Sequence, residues 1–138
     1  MEMIYPMFAL VLLKFGVGLS LGISRVLSVK RRQVDPRYYR LFCGSPPPEH
    51  VQKLGRNFSN LFEVPMLFYI AGVMAIALGI DSPLLLALGW AFVVSRIVHS
   101  AIHITYNNSF HRFLAYLVSS VIVLVMWIDL VVVVGGRG

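Results

Sequence analysis

Residues 110–134 read FHRFLAYLVSSVIVLVMWIDLVVVV, and beyond Arg112 this stretch carries one charged side chain, Asp129. A bilayer's hydrocarbon core, about 30 Å thick, is crossed by roughly 20 apolar residues rising 1.5 Å each. The stretch therefore predicts a membrane-spanning helix. Three more runs have the same character: 4–29, interrupted by Lys14 and, near its end, Arg25, then 58–80 and 84–104. The chain reads as an all-α integral membrane four-helix bundle, one domain over 1–138. Its composition agrees, since 58% of 138 residues are hydrophobic and 13% charged, against about 45–50% and 25% in a soluble domain. Four spans consume most of the apolar residues. That leaves no room for a soluble catalytic lobe, and one cysteine, Cys43, excludes a disulfide scaffold.

The turns are legible as well. Asp81-Ser82-Pro83 predicts a tight connection in which Ser82 or Asp81 caps a helix with proline in its first turn. In Tyr106-Asn107-Asn108-Ser109 the amide and hydroxyl side chains are placed to cap the last helix. Gly44-Ser45-Pro46-Pro47-Pro48-Glu49 reads as a loop leading into a helix that starts in water and enters the membrane near Phe58.

The net charge of +6 is concentrated: Arg25, Lys30, Arg31, Arg32, Arg37, Arg40, Lys53 and Arg56 fall between positions 25 and 56, opposed by Asp35 and Glu49. This is one basic loop rather than a nucleic-acid-binding surface. By the positive-inside rule it lies in the cytoplasm with the 105–111 turn, and both termini lie on the other side. Lys30, Arg31 and Arg32 are expected to set topology and touch anionic headgroups. Residues 1–24 carry Glu2 before the apolar run and the basic cluster after it, the reverse of a secretory leader, so they read as a retained span.

Ionisable side chains inside a bilayer cost a few kcal/mol each and mark function or pairing. Arg56, Asn60 and Glu63 are spaced by four and three, and so are expected on one stripe of a helix at about 100° per residue. Pro65 is expected to kink that helix just above the stripe. Arg96, His99 and His103 are spaced by three and four with Ser100 beside them, and Arg112 falls in the first turn of the last helix. Two readings fit. One is a polar network gluing helices together, with Glu63 paired to Arg96 or Arg56. The other is a polar, cytoplasm-facing pocket for a charged small molecule. The histidines at i and i+4 lack a third ligand at a diagnostic spacing, so no metal site is expected. Lys14 is expected to snorkel or to pair with Asp129.

These residues resemble those of the membrane-associated proteins in eicosanoid and glutathione metabolism. Arg56-x-x-x-Asn60-x-x-Glu63 followed by Pro65 is similar to that family's signature, and 57–65 looks most like its bacterial branch. Arg96-x-x-His99 with Arg112 sixteen residues after Arg96, and Gly22-x-x-Arg25, are further matches. The resemblance implies a homotrimer in the bacterial inner membrane, with glutathione as co-substrate and a hydrophobic second substrate arriving from the lipid. It implies that Arg25, Arg56, Asn60, Glu63, Arg96, His99 and His103 hold the tripeptide and that Arg112 stabilises its thiolate, as in a transferase or peroxidase. A thiol of pKa about 8.5 must drop by about two units, roughly 2.7 kcal/mol, to ionise near neutrality. A guanidinium about 4 Å away at an effective dielectric of about 20 supplies about 4 kcal/mol before desolvation. The N-terminus of the last helix is expected to add to this. An alternative rests on Phe58, His103 and Val64, where glutathione-using relatives carry polar or tyrosine side chains. It is a non-enzymatic lipid- or anion-binding membrane protein that keeps the fold and the polar pocket.

Overall fold

A computed structural model describes residues 2–136, and among these the chain is helical, without strands. In chain order the helices are α1 (Ile4–Lys30), α2 (Tyr38–Leu41), α3 (Glu49–Asn60), α4 (Val64–Ala77), α5 (Pro83–Ile104) and α6 (Ser109–Gly135). Four stretches are long and apolar enough to cross a membrane: α1, α3 and α4 taken together, α5 and α6. The protein is a multi-pass integral membrane protein of four spanning helices.

The expected caps form. Ser82 accepts a hydrogen bond from Leu85 N at 3.2 Å and opens α5 with Pro83 in its first turn. Asn108 Oδ1 accepts from Phe110 N and His111 N at 2.9 and 3.1 Å and opens α6. Pro48 precedes α3, so the helix begins at Glu49, well before the apolar run at 58. The basic stretch 30–56 is accordingly not one loop, since it contains α2 and much of α3.

The second span differs from the single helix expected. It ends at Asn60, resumes at Val64, and between them Glu63 takes φ −84° and ψ −96°. Pro65 accounts for the position of this break. It has no N–H for the carbonyl of Leu61, and its ring would clash with that carbonyl if the helix ran through. The interruption therefore occupies the turn before the proline and falls inside the polar stripe. Arg56 and Asn60 share a helix, while Glu63 occupies the N-cap position of the next one.

One core joins α1, α4, α5 and α6, with Leu10, Phe68, Ala71, Phe92 and Met126 at its centre. Phe68 and Phe92 stack with ring centroids 4.5 Å apart. A smaller cluster of Leu21, Val51 and Leu54, with Phe58 against it, seats α3 on α1. Small residues permit the close approaches expected where lipid supplies no hydrophobic drive. A Cβ on Gly18 would lie 2.9 Å from Phe58 Cε2, and one on Gly72 would lie 2.6 Å from Met7 Sδ.

Lys14 does not pair with Asp129. Its Nζ sits 4.5 Å from the centroids of both the Phe62 and Tyr69 rings, a cation–π arrangement. Asp129 instead accepts a hydrogen bond from Ser82 Oγ at 3.3 Å. The reason is packing: α1 lies chiefly on α3 and α5, whereas α6 lies on α5 and α4.

Candidate functional site

The ends of α1, α3, α5 and α6 that carry the basic residues converge on a cavity of about 560 Å³. Arg25 comes from α1, Arg56, Asn60 and the neighbouring Glu63 from the α3 end, His103 from α5 and Arg112 from α6, all lining the cavity. Three guanidiniums thus surround a space with one lining carboxylate, Glu63. Among the described residues Glu63 makes no ion pair with Arg56 or Arg96, so the expected internal pairing is not what holds this set together. Lys53, outside the cavity wall, does pair locally, with Glu49 Oε1 at 2.9 Å, and its Nζ also donates to Thr105 O at 3.4 Å.

Arg96 and His99 stand behind the cavity rather than in it. Arg96 is wholly buried, and one Nη donates to Asn60 Oδ1 and, at 3.4 Å, to Asn60 O. The carbonyl is reachable because α3 ends there, which leaves its last carbonyls without intrahelical partners. His99 is buried, with its ring 5.9 Å from that of His103 and set edge-on to it. Of the eight residues expected to form the site, six line the cavity and these two brace it.

Arg112 is held by its own helix end: one Nη donates to Asn107 Oδ1 at 2.8 Å. Its Nε is buried without a hydrogen-bond partner among the described residues, as are Arg25 Nε and His103 Nδ1. Atoms of the same kind occur behind the cavity, at Asn57, Arg96, His99 and Ser100, so this end of the bundle buries more polar groups than its internal hydrogen bonds satisfy. The free donors at the start of α6 are a different matter. Asn108 already occupies Phe110 N and His111 N, so the helix terminus offers its dipole to the site but not those N–H groups.

One wall went unread in the sequence. Tyr38, Tyr39 and Phe42 of the α2 segment line the cavity together with Gln52 and Ser59 of α3. The guanidinium of Arg25 stands 5.4 Å from the Tyr39 ring and 5.6 Å from that of Phe42, and Tyr39 OH is 3.0 Å from Ser28 Oγ. Phe42 takes a left-handed φ of 55° at the end of α2, which turns the chain there. The aromatic spacing at 38, 39 and 42 after Pro36 is the signal that was present, hidden among the topology-setting arginines.

A cavity with cations on three helices and one carboxylate can bind a zwitterion with excess negative charge, and its tyrosines and phenylalanine admit an apolar portion. The family model described as MAPEG family matches residues 3–132. The chain belongs to the MAPEG family. Neither a curated protein sequence nor a solved structure matches it. Of the positions in this MAPEG protein that resemble the family's motifs, the fold gathers Arg25, Arg56, Asn60, Glu63 and Arg112 around one space and leaves Arg96 and His99 behind it.

Proposed function

We propose that this protein is a membrane-bound glutathione-dependent transferase or peroxidase acting on hydrophobic electrophiles from the bilayer, and that it works as a homotrimer. The observation that carries the reading is the cavity in which Arg25, Arg56 and Arg112 face a single carboxylate, Glu63. Glutathione has two carboxylates, one ammonium and two amides, which is the complement of that set. Arg25 and Arg56 suit the carboxylates as planar, permanently charged donors. Glu63 suits the ammonium, and Asn60 and His103 suit the amides. Arg96 and His99 contribute by holding Asn60 and His103 in place. Glutathione supplies a nucleophilic sulfur when bound. Arg112 places positive charge beside it, held in position by Asn107.

Isothermal titration in detergent should show glutathione binding, weakened about tenfold or more in Arg56→Ala and in Glu63→Ala, as befits loss of a charge-assisted contact worth about 1.5–3 kcal/mol. Wild-type protein that binds no glutathione at millimolar concentration overturns the proposal. Arg112→Ala should retain binding and lose the ultraviolet absorbance of the thiolate. The aromatic wall supports a second reading, a lipid- or anion-binding protein without turnover. Robust turnover of a generic aryl halide with glutathione excludes it.

A further inference from the structure

The α2 segment has two sides. Its inner side, Tyr38, Tyr39 and Phe42, is a wall of the cavity. Its outer side carries Arg37, Arg40 and Leu41, all exposed, with Leu41 at 79% and Phe42 still 60% exposed. Bare Leu and Phe beside arginines would be a poor surface in water, so the depth of the segment matters.

That depth is set by contacts to α1. Tyr39 OH meets Ser28 Oγ at 3.0 Å, and Arg25 stands over the Tyr39 and Phe42 rings. Ser28 lies two residues below the end of α1 at Lys30, about 3 Å along the axis. A helix of 27 residues spans about 40 Å, so its ends reach through the headgroup layer on either side of the hydrocarbon. The α2 segment is therefore level with the bilayer interface. Buried Val34 pins the connection between α1 and α2. Between positions 30 and 48 stand five cations, Lys30, Arg31, Arg32, Arg37 and Arg40, against one carboxylate, Asp35. That carboxylate is itself engaged, accepting from Arg37 N at 2.8 Å.

We propose that the outer side of residues 37–42 docks on an anionic phospholipid surface, Arg37 and Arg40 on headgroup phosphates and Leu41 among the upper acyl carbons, and that this contact holds the aromatic wall, Phe42 included, against the cavity. Basic residues and apolar anchors at interfacial depth are the two signals that together give firm surface binding. Neither Arg37 nor Arg40 makes a side-chain hydrogen bond or ion pair within the described chain, so their charge is available to lipid. The inference is independent of what the cavity binds.

Cys43, exposed and next to Phe42, is the single cysteine and carries the probe. The full-length protein is labelled there with a polarity-sensitive fluorophore and placed in nanodiscs of phosphatidylcholine alone or with phosphatidylglycerol. The expected result is blue-shifted emission, quenched by bromine-labelled lipid, in the anionic discs only. Arg37→Gln with Arg40→Gln lowers the docking equilibrium roughly thirtyfold, since each interfacial cation contributes about fivefold. Identical emission in neutral and anionic discs, or in wild type and double variant, overturns the proposal. So does the same shift in neutral discs on adding inorganic phosphate, which would make the site one for a free anion.

Discussion

Arg96 is a guanidinium enclosed by helices, and its neighbour Asn60 is what makes that tolerable. Removing one partner of a buried charged contact strands the other, at about 3–5 kcal/mol when the stranded group is the charge. Asn60→Leu should therefore lower stability in a denaturant titration more than Arg96→Met does, and the double variant should recover much of the loss. Equal effects of the two single variants would mean that the Arg96 to Asn60 contact carries little. Asn108→Ala should cost about 1 kcal/mol in the same titration by removing two acceptor contacts at the head of α6. The two sites differ in legibility. Asn108 bonds to N–H groups two and three residues ahead, so its role is local and readable from sequence. Asn60 and Arg96 are thirty-six positions apart, and only packing brings them together. Periodicity put Arg96 on the same face as His103, yet His103 reaches the cavity and Arg96 stops at Asn60.

At the level of elements, the interruption between α3 and α4 decides how Glu63 is presented. In a continuous helix Glu63 would follow the stripe of Arg56 and Asn60; at the break its position is set by the turn before Pro65. Pro65→Ala permits the two helices to fuse. In a Cys43→Ser background, Glu63→Cys should react with a water-soluble thiol reagent from the cavity, and adding Pro65→Ala should slow that reaction severalfold. An unchanged rate would mean that the break is imposed by tertiary packing and not by the proline. The seam between α1 and α3 makes its own prediction. Gly18→Ala sets a methyl 2.9 Å from Phe58 Cε2, so the Phe58 ring must leave its seat against Leu21, Val51 and Leu54. Overpacking of this kind costs about 1–3 kcal/mol, read as a lowered unfolding temperature in detergent. The proline and its effect on the second span were visible in sequence. The position of the break one turn earlier was not, because a proline can bend or end a helix and the surrounding packing selects between them.

Across the whole molecule, charge is sorted by end: the α1–α3 connection and the α5–α6 turn carry the basic side, bound to each other by Lys53 and Thr105, while Ser82 and Asp129 tie the other end together. The positive-inside rule predicts that this basic end faces the cytoplasm. In intact cells expressing the protein, Cys43 should resist a membrane-impermeant maleimide and should react once the membrane is permeabilised; labelling in intact cells would invert the predicted topology. The outer faces of all four spans remain apolar and exposed, from Phe8 and Phe15 on α1 to Val131 on α6, as surfaces meeting lipid or neighbouring copies must be.

What the sequence by itself determined is what depends on solvent and on neighbours along the chain: four spans, their caps, the basic end, and the set of polar side chains that a bilayer would not tolerate without cause. Hydropathy and capping act over a few residues, so they are written in order. Only the tertiary structure decided which of those polar residues share a space and which brace it, that Lys14 rests on two aromatic rings instead of Asp129, and that Tyr38, Tyr39 and Phe42 close the cavity. These outcomes depend on which helices touch and at what depth. A sequence of four similarly apolar spans leaves that undetermined, because lipid does not discriminate among their faces and only side-chain packing does.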